Sequence, residues 1–147
     1  MVSQKCQYAI RALFELSKQH GKGPVKIGAI AELQAIPLRF LEVILNQLKQ
    51  GGFVQSKRGA DGGYSLSRQP AQITVGEIIR FVEGSQVPVA CMTDRNKPNC
   101  SLSGGCVFLG MWERVAKSAS DIYDQTTLQK LIDDELTLHQ ATDSYSI

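Results

Sequence analysis

The stretch PLRFLEVILNQLKQGGFVQSKRGADGGYSLSR, residues 37–68, sets the architecture. Pro37 suits the first turn of a helix, where its missing N–H costs nothing. The helix is expected from about Leu38 to Gln50 and stops at Gly51-Gly52. Leu38, Leu41, Leu45 and Leu48 form its expected inner face. Arg39, Glu42, Val43, Asn46 and Gln50 fall on the opposite face, at i, i+3, i+4, i+7 and i+11. A face of that composition can read base edges in a groove of DNA, and it can equally be plain solvent surface. Phe53 to Lys57 then alternates as a strand does. Arg58-Gly59-Ala60-Asp61-Gly62-Gly63 is a turn, and Tyr64 to Arg68 is the returning strand.

Toward the N-terminus, residues 3–20 read as a helix. Ser3 is its N-cap, Cys6, Ile10, Leu13 and Leu16 recur at helical spacing, and Gly21 stops it. Lys22-Gly23-Pro24 is a loop. Ile27, Ile30, Ala31 and Leu33 mark a short second helix to about Gln34. Helices followed by a basic-tipped hairpin spell a winged helix-turn-helix, a mainly α fold with a small β-hairpin wing. The third helix would enter the major groove. Lys57 and Arg58 would lie on phosphates or in the minor groove.

Toward the C-terminus, Thr74-Val75-Gly76-Glu77 is a capping box opening a fourth helix, which Gly84 closes. Residues 85–105 show no periodicity, and a loop of that length in a compact domain is usually functional or disordered. A fifth helix is expected from about Cys106 to Tyr123. Its Phe108, Trp112, Val115, Ala119 and Ile122 are spaced 4, 3, 4, 3, as in a coiled-coil seam. That stripe suits the chain's own core or a partner helix. On a small DNA-binding domain the dimer seam is the reading adopted. Thr126-Thr127-Leu128-Gln129 caps a last helix with apolar Leu128, Leu131 and Ile132, and the tail after His139 is expected to fray. The organisation is then a DNA-binding domain at 1–84, a cysteine-bearing loop at 85–106, and a dimerisation helix with a C-terminal helix at 107–147.

The whole chain of 147 residues carries a formal net charge of +2, with 43% hydrophobic and 20% charged residues. This is globular composition, which sets aside disorder and collagen. No run of 18 apolar residues exists, so no membrane span is expected. The first residues lack the apolar core of a secretory signal, and a cytoplasmic location is expected. The charge is unevenly placed. Residues 1–70 hold ten basic and four acidic residues, a net +6, while 71–147 hold six basic and ten acidic, a net −4. A basic first half suits a polyanionic partner.

Three of the four cysteines, Cys91, Cys100 and Cys106, follow the spacing C-x8-C-x5-C. This is not the paired C-x2-C of structural zinc sites, and His20 and His139 lie elsewhere. Three soft thiolates beside Gly104 and Gly105 suit an iron–sulfur cluster. A redox switch, a zinc site and chance spacing are the other readings. Cys106 is expected at a helix N-terminus, where the helix dipole favours thiolate. Cys6, on the apolar face of the first helix, reads as a core residue. No Ser-His-Asp set, phosphate loop or catalytic carboxylate pair is present, so no enzyme is expected.

Several of these segments resemble the Rrf2 family of transcription regulators. They are Tyr8-Ala9-Ile10-Arg11-Ala12-Leu13, Phe40-Leu41-Glu42, Arg58-Gly59-Ala60-Asp61-Gly62-Gly63-Tyr64 and Thr74-Val75-Gly76-Glu77-Ile78-Ile79, with the cysteine trio behind them. The resemblance spans roughly residues 1–135. It implies a homodimer on a palindromic double-stranded DNA operator, with an iron–sulfur cluster on Cys91, Cys100 and Cys106 gating that binding. The signal it implies is iron, iron–sulfur status, redox or nitric oxide. By similarity Glu42 reads bases and Arg58 reaches the minor groove. The pattern departs at the fourth ligand. Assembly-regulating members place a histidine three residues after the third cysteine, where this chain has Leu109. Nitric-oxide-sensing members use an acid from the partner's first helix, where this chain has Gln7 beside Cys6. The fourth position is therefore open, taken by a small molecule, or taken by the partner's Cys6 or Gln7. The leaning is to [4Fe–4S] over [2Fe–2S]. A clusterless regulator answering to a small ligand or protein, and a small iron–sulfur electron carrier, are the rival readings.

Overall fold

The computed structural model describes residues 2–93, 100–102 and 104–146. Six helices and one hairpin appear among them: α1 (Gln4–Lys18), α2 (Ile27–Gln34), α3 (Leu38–Gln50), β1 (Val54–Lys57), β2 (Gly63–Leu66), α4 (Val75–Glu83), α5 (Leu109–Gln125) and α6 (Leu128–Ser144).

Helix α1 is the axis of the fold. Ser3 caps it by accepting the Cys6 N–H at 3.2 Å, a contact of a kind that contributes about 1 kcal/mol. Its Ala9, Ala12, Leu13 and Leu16 are buried against Ile30 of α2, Leu41, Ile44, Leu45 and Leu48 of α3, Ile78 of α4 and Leu128 of α6. Both ends of the chain thus feed one core. The inner face of α3 differs from expectation at two positions. Ile44 is buried, whereas Leu38 stands 48% exposed. At 3.6 residues per turn, the stripe centred on Leu41, Ile44, Leu45 and Leu48 leaves Leu38 one turn ahead of it, in the first turn of α3.

The hairpin pairs Val54 with Leu66 and Lys57 with Gly63, antiparallel. A third short edge, unforeseen in the sequence, completes the wing: Val25 and Tyr64 exchange two backbone hydrogen bonds of 2.8 Å. This pairing explains the double glycine. Gly63 holds φ +148°, and a side-chain carbon there would lie 2.4 Å from the Val25 carbonyl oxygen.

Thr74 caps α4 as expected, accepting the Glu77 N–H at 3.1 Å. The reciprocal half of the capping box is absent, because the Glu77 carboxylate is drawn to Arg68 at 2.6 Å. Helix α5 starts three residues later than expected, so Cys106 precedes the helix; its carbonyl accepts the Leu109 N–H at 3.3 Å. Helix α6 runs past His139 to Ser144, correcting the expected fraying. No proline or glycine interrupts that stretch, and Thr142 and Ser144 return hydrogen bonds to the Leu138 and Gln140 carbonyls. Among the described residues, no helix is long and apolar enough to cross a membrane.

Candidate nucleic-acid interface and cysteine segment

The turn between α2 and α3 positions the face expected to meet DNA. Ala35 takes the left-handed conformation at φ +49°, with its N–H on the Glu32 carbonyl at 3.3 Å. Ile36 then plugs the core, and Pro37 starts α3. Arg11 of α1 fixes the α2 terminus by donating to the Gln34 side chain at 3.1 Å and to the Gln34 carbonyl. The Gln34 amide donates in turn to the buried Glu15 at 2.5 Å. Glu15 is neutralised by Lys18 at 2.9 Å, and Lys18 also meets Glu135 of α6 at 3.4 Å. Burial alone would lower the Lys18 pKa, but these two carboxylates raise it above its ordinary value. A fully satisfied chain of this kind rigidifies the turn it supports.

Arg39, Glu42, Val43 and Asn46 all point out of α3 into solvent. Arg39 lies over the Phe40 ring, its guanidinium carbon 5.9 Å from the ring centroid, in the manner of a cation–π contact. Lys57 and Arg58 are exposed at the wing tip. Lys49 of α3 donates to Ser56 of β1 at 2.6 Å and so ties the wing to the recognition helix. Each of the expected DNA-facing residues is thus exposed, on α3 or on the wing.

Sequence reasoning missed the apolar flank of α3. Phe40 and Val43 are exposed, and with Ile44 they face Gln4, Lys5 and Tyr8 of α1 across a cleft of about 440 Å³. The i, i+3, i+4 spacing of Phe40, Val43 and Ile44 was the available signal. The first turn of α1 is held in place by Glu83, which accepts from the Ser3 N–H at 3.1 Å and from the Ser3 hydroxyl.

Glu83 is also the last residue of α4, directly ahead of the cysteine-bearing segment. Cys91 lies in a 3-10 turn, Ala90–Met92, and is exposed; Cys100 and Cys106 are half-buried. All three are free thiols. Residues 94–99 and 103 of the expected non-periodic loop lie outside the described residues. Among the described residues, no three His, Cys, Asp or Glu side chains stand together as a metal-binding group. Cys6 is fully buried beside Val75 and Ile79. Burial, reinforced by the Glu83 charge, pushes its thiol up to about 11. Gln7, its neighbour, is exposed and donates to the Val2 carbonyl at 3.2 Å.

Helix α5 meets α4 through Arg80 and Asp124, 2.7 Å apart, over Gly76. Of its expected seam, Phe108, Val115 and Ile122 are 54%, 48% and 65% exposed, while Trp112 and Ala119 are half-buried.

A helix-turn-helix braced by α1, followed by a basic hairpin, defines a winged-helix DNA-binding protein. The chain belongs to the Rrf2 family, described as iron-dependent transcriptional regulators, which matches residues 2–134. It is a family of transcription regulators and not of enzymes. The chain is 35% identical over 130 residues to the HTH-type transcriptional regulator CymR of Bacillus subtilis, covering 88% of each protein. The solved structure of that CymR, described as the global cysteine regulator, has a TM-score of 0.74 at 33% identity, covering 89% of this chain and 95% of CymR. The structure of T. potens IscR has a TM-score of 0.72 at 36% identity, covering 92% of this chain and 88% of IscR.

Proposed function

We propose that this DNA-binding regulator is a cytoplasmic homodimer whose affinity for a palindromic operator is gated by an iron–sulfur cluster on Cys91, Cys100 and Cys106. The observation that carries the reading is the placement of three free, solvent-reachable thiols on the one segment joining α4 to α5. The donor set fits: soft thiolates suit iron–sulfur centres, and thiols that solvent reaches can be loaded. When bound, the cluster supplies an iron centre sensitive to iron supply, redox state or nitric oxide. The fourth position falls to Gln7 of the partner, to a small molecule, or stays open, because Cys6 is locked in its own core. The leaning to [4Fe–4S] over [2Fe–2S] follows from a weak fourth ligand.

The exposed stripe Phe108, Trp112, Val115, Ala119 and Ile122 supports a partner helix on α5. Ligation by the three cysteines fixes the segment between α4 and that helix. The α4 end then sets how each winged domain sits on the dimer axis. Half-sites lie about one helical turn apart, so small changes in that seating matter. A coupling of about 1–3 kcal/mol changes affinity by about 5- to 150-fold.

The deciding experiment is an absorption spectrum of protein isolated without oxygen, with iron and sulfide counts and operator affinity before and after iron removal. A brown protein whose affinity follows its iron is expected. A colourless protein that resists reconstitution, and whose DNA binding ignores iron, sinks the cluster reading. That outcome favours a clusterless regulator answering to a small ligand or protein, a reading supported by the likeness to the cysteine regulator CymR.

On the DNA side, Arg58→Ala is expected to weaken binding and flatten its salt dependence. Loss of one cation–phosphate contact makes the slope of log K against log salt about 0.9 less negative. A wild-type slope in this variant removes Arg58 from the interface.

A further inference from the structure

The cleft between α1 and α3 has no role in the reading above. It is lined by Phe40, Val43, Ile44 and Tyr8, together with Gln4 and the exposed Lys5. Lys5 has no carboxylate within salt-bridge distance among the described residues, a condition it shares with Lys57 and Arg58. Its charge is therefore free to meet an anion outside the chain, while the apolar trough beside it can take an uncharged part of the same partner.

We propose that the first turn of α1 is a second DNA-backbone contact, with Lys5 on a phosphate and the trough between Tyr8 and Val43 seated over the adjoining sugar. The inference rests on α3 entering the major groove. A helix is about 10–12 Å across with its side chains, and the groove is about 12 Å wide. Once α3 fills the groove, whatever flanks it lies level with the sugar-phosphate strands. One flank of α3 is the edge formed by Phe40 and Val43, and α1 stands beside it. The cleft is therefore continuous with the face carrying Arg39, Glu42 and Asn46, and its rim charge has the sign the backbone requires. Glu83 anchors this turn through both Ser3 donors, so Lys5 projects from a fixed scaffold. The contact reads no bases. It adds affinity and sets the angle at which α3 lies in the groove.

The test uses the full chain and an operator duplex recovered from it by selection out of random DNA. Binding is titrated by fluorescence anisotropy across a range of potassium chloride concentrations for the wild type, Lys5→Ala and Lys5→Arg. The expected result is a slope about 0.9 less negative for Lys5→Ala, which is about 8-fold weaker binding at 0.1 M salt. The loss is equal on operator and unrelated duplexes, and Lys5→Arg restores the wild-type slope. An unchanged slope in Lys5→Ala, with the wild type binding its operator, overturns the contact and leaves the cleft to a small apolar ligand or the partner chain. A wild type that selects no duplex at all fails the DNA reading itself. Matching circular dichroism spectra separate both outcomes from misfolding.

Discussion

A Cys100→Ala protein, purified and reconstituted without oxygen, is expected to be colourless and to bind its operator with the same affinity with or without iron. The reason lies in the supply of donors. Removing Cys100 leaves two thiolates on the α4–α5 segment, and the remaining cysteine cannot be recruited. Cys6 has no solvent exposure, and its thiol sits against Val75 and Ile79 with its ionisation pushed up to about 11. A buried thiol with so raised a pKa is a poor ligand and a poor nucleophile. The same logic gives the control. Cys6→Ala is expected to keep the chromophore and the iron response, with only the modest loss of stability that follows removal of one buried side-chain atom. Iron-dependent affinity spans about 5- to 150-fold in the wild type if the coupling is of ordinary size, and it collapses to unity in Cys100→Ala. A coloured Cys100→Ala protein, or a colourless Cys6→Ala protein, reverses the assignment of ligands.

The second large effect is expected from Gly63→Ala. The new methyl group would lie 2.4 Å from the Val25 oxygen and 2.6 Å from the Val25 carbonyl carbon, both backbone atoms that cannot rotate away. The φ of +148° is itself disfavoured for alanine. The hairpin must lift from Val25 and surrender two hydrogen bonds of 2.8 Å. Strain of this type costs about 1–3 kcal/mol, read as a lower urea midpoint. Operator affinity should fall further than in Arg58→Ala, because Lys57 and Arg58 are both displaced. Gly28→Ala is the contrast. That glycine sits inside α2 with nothing within 4 Å of the added carbon, and φ there is not positive. It should stabilise the protein by up to about 1 kcal/mol. Equal midpoints for the two variants would show that the Val25 pairing contributes nothing to the wing.

The wing and the recognition helix were legible in the sequence because their signals are local. Glycines at 59, 62 and 63 announce a turn whatever surrounds them, and Pro37 and Gly51-Gly52 bracket a helix by backbone chemistry alone. The outward set Arg39, Glu42, Val43 and Asn46 follows from helical period. What escaped is what depends on distant neighbours. Val25 pairs with the wing only because the loop after α1 passes beside β2. Leu38 is exposed because, among the described residues, no element covers the first turn of α3, which its own identity does not reveal. The Glu77 carboxylate left its capping box for Arg68, a choice made by tertiary proximity. The candidate cluster site was legible as three cysteines and their spacing. Its fourth ligand was not, since that position turns on how two copies of the chain meet.

The depth of Cys6 has a practical side. In the metal-free protein, three thiols lie where a maleimide or iodoacetamide can reach them, and the fourth is closed off by α1 and α4. Mass spectrometry of briefly alkylated protein should therefore count three labels on the folded chain and a fourth only when α1 parts from α4. The chain carries a built-in clock for the opening of its own core, read one residue from the exposed Gln7 and without any engineered reporter residue.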